Sequence, residues 1–402
     1  TKRIKASTGG DNAPITVSVE ETRQTPRLSE AIEKFITNNQ EGPKPWGRNE
    51  LDKYRSFLQF FCDQMENCYL HELTTDNIRQ NYVNVIPRYP ANVTRYPIFK
   101  DSKGNLLPTD KIIQIAKEHS VSVCSVRTLK QKAGHVQHFL NYYIKEELLE
   151  PKLLHPFAAI TELKTIKKKR PSFNDKHLEL LFSKEEFRTG KWFTKEMDFR
   201  FWGPLIALYT GARVNEICQL DVGDVITDAE TGVVYFNLVD EEEDEDGNVK
   251  SGRKTLKTEA ARRKVPIHDN LIKLGILDYV ESRRKKKEKK LIGGVTYTSS
   301  DRWSKKLKTW FNHTLFDEVG LNKHVSEKHT TLSFHCFRST VINFSKQNRL
   351  DRRIMLELVG HDEDLELTVH DDYSDVYNLK LKQQEINKLN FNLDIDSFFR
   401  WR

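Results

Sequence analysis

The chain has 402 residues, with 65 Lys and Arg against 58 Asp and Glu and a net charge of +7. Two domains are expected, because one domain seldom reaches this length. No run of about 18 apolar residues occurs and no signal-peptide pattern opens the chain, which excludes a spanning helix and leads us to expect a soluble, cytoplasmic protein with no membrane partner.

Residues 1–27 are polar, carry Gly9 and Gly10 and lack apolar periodicity, so they are expected as an arm or lead-in. Helical spacing starts at Leu28, Ile32, Phe35 and Ile36. It returns at Leu51, Tyr54, Leu58, Phe61 and Met65, and again at Ile78, Tyr82 and Ile86. Pro87, Pro90 and Pro97 break the pattern, and 96–123 reads as a long insertion. A longer helix carries Val126, Leu129, Val136, Leu140, Tyr143 and Ile144 and is ended by Pro151 and Pro156. The expectation is a four-helix, all-α unit over 28–160. Residues 161–174 are polar and basic, contain Pro171, and read as an interdomain linker.

The second unit, 175–390, has a different character. Phe201–Leu220 is apolar and helical, Val233–Phe236 reads as a strand, and Lys264–Ile267 as its partner. Asp240–Asp246 is an unbroken acidic run that reads, with Gly247 and Gly252, as a solvated hairpin tip; without its seven acids the remainder stands at +14. Residues 269–282, 301–319, 339–349 and 351–358 are helical by pattern. Residues 391–402 keep Leu393, Ile395, Phe398, Phe399 and Trp401, read as a subunit contact or as docking on the same domain. The five cysteines form no CxxC pair, which argues against a disulfide framework. His135 and His138 share a helix face, but nothing nearby completes a metal site. Basic clusters at Lys167, Lys168, Lys169 and Arg170 and at Arg283–Lys287 suit a polyanion, although either alone also suits a solvated face.

Five motifs then follow in order. Tyr209-Thr210-Gly211-Ala212-Arg213 runs on to Glu216. Lys257-Thr258 precedes Ala261-Arg262-Arg263-Lys264-Val265-Pro266-Ile267. His335-Cys336-Phe337-Arg338, Leu358-Val359-Gly360-His361 and Asp372-Tyr373-Ser374 complete the set. Singly each is weak; together, over 209–373, they resemble the tyrosine recombinase, or phage integrase, family. The helices at 28–157 resemble that family's core-binding domain.

The resemblance implies an α+β fold: an all-α core-binding domain joined to a mainly helical catalytic domain with a small antiparallel sheet. It implies that Arg213 and Arg338 clamp a DNA phosphate, Lys257 acts as general acid, and His335 assists the nucleophile. His361 would donate to a non-bridging oxygen and Tyr373 would form a 3′-phosphotyrosine link. These roles fit the physics. Guanidinium forks neutralise charge gathering at phosphorus, and the leaving oxygen needs a proton. A free phenol is ionised to roughly one part in a thousand at neutral pH, so the pocket must favour the phenolate. No metal or other cofactor, and no ATP, is implied. Lys167, Lys168, Lys169, Arg170, Arg262 and Arg263 are candidate DNA contacts, Arg262 and Arg263 having plain strand-face charge as the alternative. Implied partners are double-stranded DNA, a homotetramer on two DNA sites, and accessory DNA-bending or directionality proteins, in a DNA-associated protein of bacterial or phage type. Lys254 and Lys250 compete with Lys257. Tyr373 lies twelve residues after His361, where many relatives have nine, and Tyr377 is the alternative nucleophile. A type IB topoisomerase-like enzyme and a catalytically silent DNA-binding protein are the rival readings.

Overall fold

The computed structural model describes residues 25–43, 45–165, 171–239, 254, 256, 261–321, 332–360 and 377–402, with the backbone alone at 242–243 and 249–250. Lys167, Lys168, Lys169, Arg170, Lys257, His361, Tyr373, most of the acidic run and residues 1–24 therefore lie outside the described residues. The chain divides into two compact units, Thr1–Lys167 and Lys168–Arg402.

The first unit is helical: α1 (Leu28–Glu41), α2 (Arg48–Gln64), α3 (Thr75–Ile78) continuing as a π turn, α4 (Thr109–Glu118), α5 (Val126–Lys145) and α6 (Ala158–Thr161). In α1 the buried Leu28, Ala31, Ile32, Phe35 and Ile36 recur at three- and four-residue steps, which turns one face inward. Phe35 meets Tyr54 of α2 and Phe139 of α5 edge-on, at 5.9 and 5.6 Å. Each such buried ring contributes roughly 1.5–3 kcal/mol. The Ser125 side chain caps α5 by accepting from the Thr128 amide, and the Tyr143 hydroxyl donates to the Ala31 carbonyl at 2.9 Å. The segment read as an insertion has structure of its own. Pro97 opens a 3₁₀ turn, α4 follows, and Tyr89, Val93, Phe99, Ile112 and Ala116 close a separate small core.

The second unit is built around α9. Its helices are α7 (Asp175–Leu181), α8 (Glu186–Thr189), α9 (Phe199–Thr210) and α10 (Val214–Gln219) before the sheet. Nearly every residue of α9 is buried, including Trp202, Leu205 and Tyr209, so the helix is apolar all round and lies inside the core. The stretch read as one helix is two, because Gly211 turns left-handed at φ 62° and ends α9.

The strands are β1 (Val225–Thr227), β2 (Val234–Leu238), β3 (Glu242–Glu243), β4 (Val249–Lys250) and β5 (Arg263–Pro266). β1, β2 and β5 form one antiparallel sheet in that order, with Val225 opposite Phe236 and Leu238 opposite Arg263. The acidic run is not wholly a turn: Glu242 and Glu243 pair with Lys250 and Val249.

Helices α11 (Asp269–Lys273), α12 (Ile276–Lys285), α13 (Lys305–Thr309), α14 (Phe316–Glu318), α15 (Cys336–Gln347), α16 (Arg352–Val359) and α17 (Leu379–Ile386) follow. The last residues are not a free contact surface. Phe391, Ile395 and Phe398 join the core of their own unit, and the amides of Phe399 and Trp401 donate to the carbonyls of Phe187 and Leu274. Among the described residues no helix is long and apolar enough to cross a membrane.

Candidate active site

The site forms where the C-terminus of α16 meets the ends of α9, α15 and β5. Helix ends leave carbonyls without partners, and cations are the natural groups to satisfy them. Here three arginines do so. Gly360 caps α16 in the left-handed conformation at φ 63° and presents its carbonyl to both Arg213, whose Nη2 donates at 3.2 Å, and Arg338, whose Nη2 donates at 2.8 Å. Arg338 Nη1 also donates to the carbonyls of Val359 and Gly211, the latter at 3.2 Å. Arg263 Nε donates to the Leu358 carbonyl at 2.7 Å. The close approach depends on Gly211, since a Cβ there would lie 2.9 Å from Val359 Cγ1.

Arg213 sits just before α10, and Glu216 one turn on closes a capping box with it: the Arg213 amide donates to Oε2 at 2.9 Å and its Nη1 to Oε1 at 2.6 Å. Arg263 Nη2 reaches the same Oε2 at 2.9 Å. One carboxylate thus sits between two guanidiniums. Burial alone would raise the Glu216 carboxyl, but the charge of Arg263 and hydrogen bonds from both arginines outweigh it and hold it below its ordinary value. Side-chain exposure is 24% for Arg213 and 4% for Arg263, so of this pair Arg213 faces the solvent side. Arg338 is buried on α15, and His335, one turn earlier and just outside that helix, is exposed.

A second buried charge cluster lies in the same unit. Lys254 is buried, with Nζ 3.0 Å from Asp221 Oδ2 and 2.9 Å from Asp224 Oδ2. Asp221 Oδ1 also pairs with Lys290 at 2.6 Å. Burial would discharge Lys254, but Asp224 and Asp221 together outweigh it and keep the ammonium above its usual range.

Arg213, Arg338 and His335 are therefore gathered at the end regions of α15 and α16. Lys257, His361, Tyr373 and the four linker cations fall outside the described residues. Arg263, expected as a DNA contact or a plain strand-face charge, is instead buried, with its donors on Glu216, Leu358 and Ala261. Arg262 next to it is exposed, and Tyr377 packs half-buried against the core. Alternation could have revealed Arg263, because it shares its strand face with the fully buried Val265, two residues on.

No protein-family model matches the chain, and no curated protein matches it in sequence. Solved structures do match. A lambda integrase tetramer bound to a Holliday junction superposes at TM-score 0.51 and 13% identity, over 86% of this chain and 81% of that one. The Tn1549 transposon integrase in complex with a circular intermediate DNA superposes at TM-score 0.51 and 13% identity, over 91% of this chain and 100% of that one. The fold is that of the integrases. Both neighbours are tyrosine recombinases, and this chain shares their mainly helical fold with its small three-stranded antiparallel sheet.

Proposed function

We propose that the chain is a site-specific tyrosine recombinase that cleaves and rejoins double-stranded DNA through a 3′-phosphotyrosine link, integrating or excising a mobile element. The observation that carries this is the shared carbonyl: Arg213 and Arg338, 125 residues apart, both donate to Gly360, the residue before His361. Two guanidiniums fixed at one point, largely out of water, suit a phosphate whose charge grows in the transition state.

In the proposed step the Tyr373 oxygen bonds to phosphorus and the bond from phosphorus to the 5′ oxygen breaks. The phenol proton leaves toward His335, and Lys257 gives a proton to the departing oxygen. Arg213, Arg338 and His361 hold the non-bridging oxygens. Attack by the 5′ hydroxyl of another strand reverses the chemistry, so the covalent link conserves the bond and neither ATP nor metal is called for. Lys254 is committed to Asp221 and Asp224, which favours Lys257 as the acid. The half-buried packing of Tyr377 favours Tyr373 as the nucleophile. The first unit would act as a core-binding domain, with Lys167, Lys168, Lys169, Arg170 and Arg262 as phosphate contacts. Four protomers on two DNA sites would form the active assembly, with accessory DNA-bending or directionality proteins as further partners.

The test is to incubate the full chain with nicked duplexes tiled across the DNA flanking its own gene and to look for an adduct stable to detergent. An adduct is expected, with the DNA-bearing peptide containing Tyr373. Tyr373→Phe should abolish it and Tyr377→Phe should not, while Arg213→Ala and Arg338→Ala should each slow it by roughly 10²–10³-fold. No adduct on any duplex across a range of salt would refute the proposal. Relaxation of any supercoiled plasmid by a single protomer would point to a topoisomerase instead.

A further inference from the structure

We infer that Arg263 is a positioning residue of the strand-transfer site, acting on the phosphate clamp through Glu216 and the end of α16; the inference rests on the recombinase reading above. Burying a guanidinium costs several kcal/mol unless its donors are satisfied, and an aliphatic side chain would fill a strand position more cheaply. Arg263 is satisfied in a particular way. Its Nη1 donates to Ala261 O at 2.9 Å just before its own strand, its Nε to Leu358 O at 2.7 Å on α16, and its Nη2 to Glu216 Oε2 at 2.9 Å on α10. It therefore ties three elements together behind the clamp.

Two consequences follow for the clamp. Glu216 is only 3% exposed and is approached by Arg213 and Arg263 from two sides. Because Arg263 takes up part of the carboxylate's charge, Arg213 is not fully neutralised and keeps positive charge toward an anion. Take Arg263 away and the whole buried carboxylate falls to Arg213, which would be drawn inward to a two-pronged pair. The bond to Leu358 acts on the other guanidinium, because the next two carbonyls, of Val359 and Gly360, are the ones that hold Arg338. Loss of Arg263 thus misplaces both arms of the clamp while leaving the DNA contacts away from the scissile phosphate untouched.

The experiment compares wild type with Arg263→Met and Arg263→Lys in the full chain, on the duplex that wild type cleaves. That duplex is made in two forms, with an ordinary scissile phosphate and with a methylphosphonate there, which lacks the negative charge the clamp must offset. Affinity for an unrelated duplex is measured against salt. Arg263→Met is expected to slow adduct formation at least 10-fold on the phosphate and less than 3-fold on the methylphosphonate, with affinity and salt dependence unchanged. Arg263→Lys keeps charge beside Glu216 but cannot span all three acceptors, so it should fall between; it carries the same comparison if the methionine variant does not fold. Adduct formation within 2-fold of wild type on the phosphate would overturn the inference. So would an equal loss on both substrates, the mark of a merely structural role, or a salt slope shallower by about one, the mark of a direct phosphate contact. If wild type cleaves nothing, it is the recombinase reading that fails.

Discussion

Lowering the pH should weaken the second unit through one buried imidazole, His268. This residue caps α11, is 3% exposed, and packs on Tyr209 with the rings tilted by 33° and their centres 4.3 Å apart. Its Nε2 donates to the Leu389 carbonyl at 3.0 Å and its Nδ1 accepts from the Asn270 amide at 3.0 Å. Only the neutral ring satisfies both partners, since a second proton would face the Asn270 N–H. Burial pushes its pKa down from 6.5 to about 4, the Leu389 bond opposing only in part. Below 6.5 the unfolded chain binds a proton that the folded one refuses until about 4, so this contribution is complete at neutral pH and is lost as pH falls through that window. Two and a half pH units correspond to about 3 kcal/mol. Urea unfolding followed by tryptophan fluorescence from pH 7.5 to 4.5 measures it, because Trp192, Trp202, Trp303, Trp310 and Trp401 all lie in this unit. His268→Asn keeps a capping acceptor but cannot titrate, so the wild-type loss relative to this variant isolates the imidazole. A difference that stays flat across the range refutes the reasoning. Glu216 does not confuse the result: its depressed carboxyl gives stability that is lost as pH falls through its ordinary value of 4.5, at the acid end of the range, and that loss is common to wild type and variant.

Gly275→Ala should cost at least about 2 kcal/mol and undock the last residues, because its φ is 85° and a Cβ would lie 2.1 Å from the Trp401 carbonyl oxygen. Gly232→Ala, with φ 72° and open space around it, should cost only about 1 kcal/mol, and equal melting shifts for the two would count against tail docking. Lys254→Met strands two buried carboxylates on Lys290 alone and should destabilise by about 3–5 kcal/mol in urea. Adding Asp224→Asn should restore much of that loss; no recovery in the double variant would mean the cluster is not held by charge pairing.

Where a signal lay within one element, the sequence was legible. The three- and four-residue steps of α1, α2 and α5 give one buried face each, and the strand pair β2 and β5 followed from β-branched and aromatic residues. The arginine motifs were visible because short-range chemistry surrounds each: Glu216 one turn from Arg213, and a glycine closing α9 and α16. What escaped notice depends on distant partners. β1 is three residues long and declares itself only by pairing with β2. The 96–123 segment needed Phe99, Ile112 and Ala116 to find Tyr89 and Val93. Arg263 looked like a surface cation because charge next to Arg262 and Lys264 masks its inward alternation. The closing Phe398 was ambiguous for the same reason: the core that receives it is contributed by residues some two hundred positions earlier, among them Phe182 and Phe187.

Because three guanidiniums hang on consecutive carbonyls, Leu358, Val359 and Gly360, the site behaves as a keystone rather than as a set of separate pegs. Displacing the tip of α16 by an ångström would unseat every one of them together. Losses from altering Arg213, Arg263 and Arg338 in combination should therefore fall well short of the sum of the separate losses. In a site built this way, a change that shifts the tip of α16 costs nearly as much as a change to any one arginine.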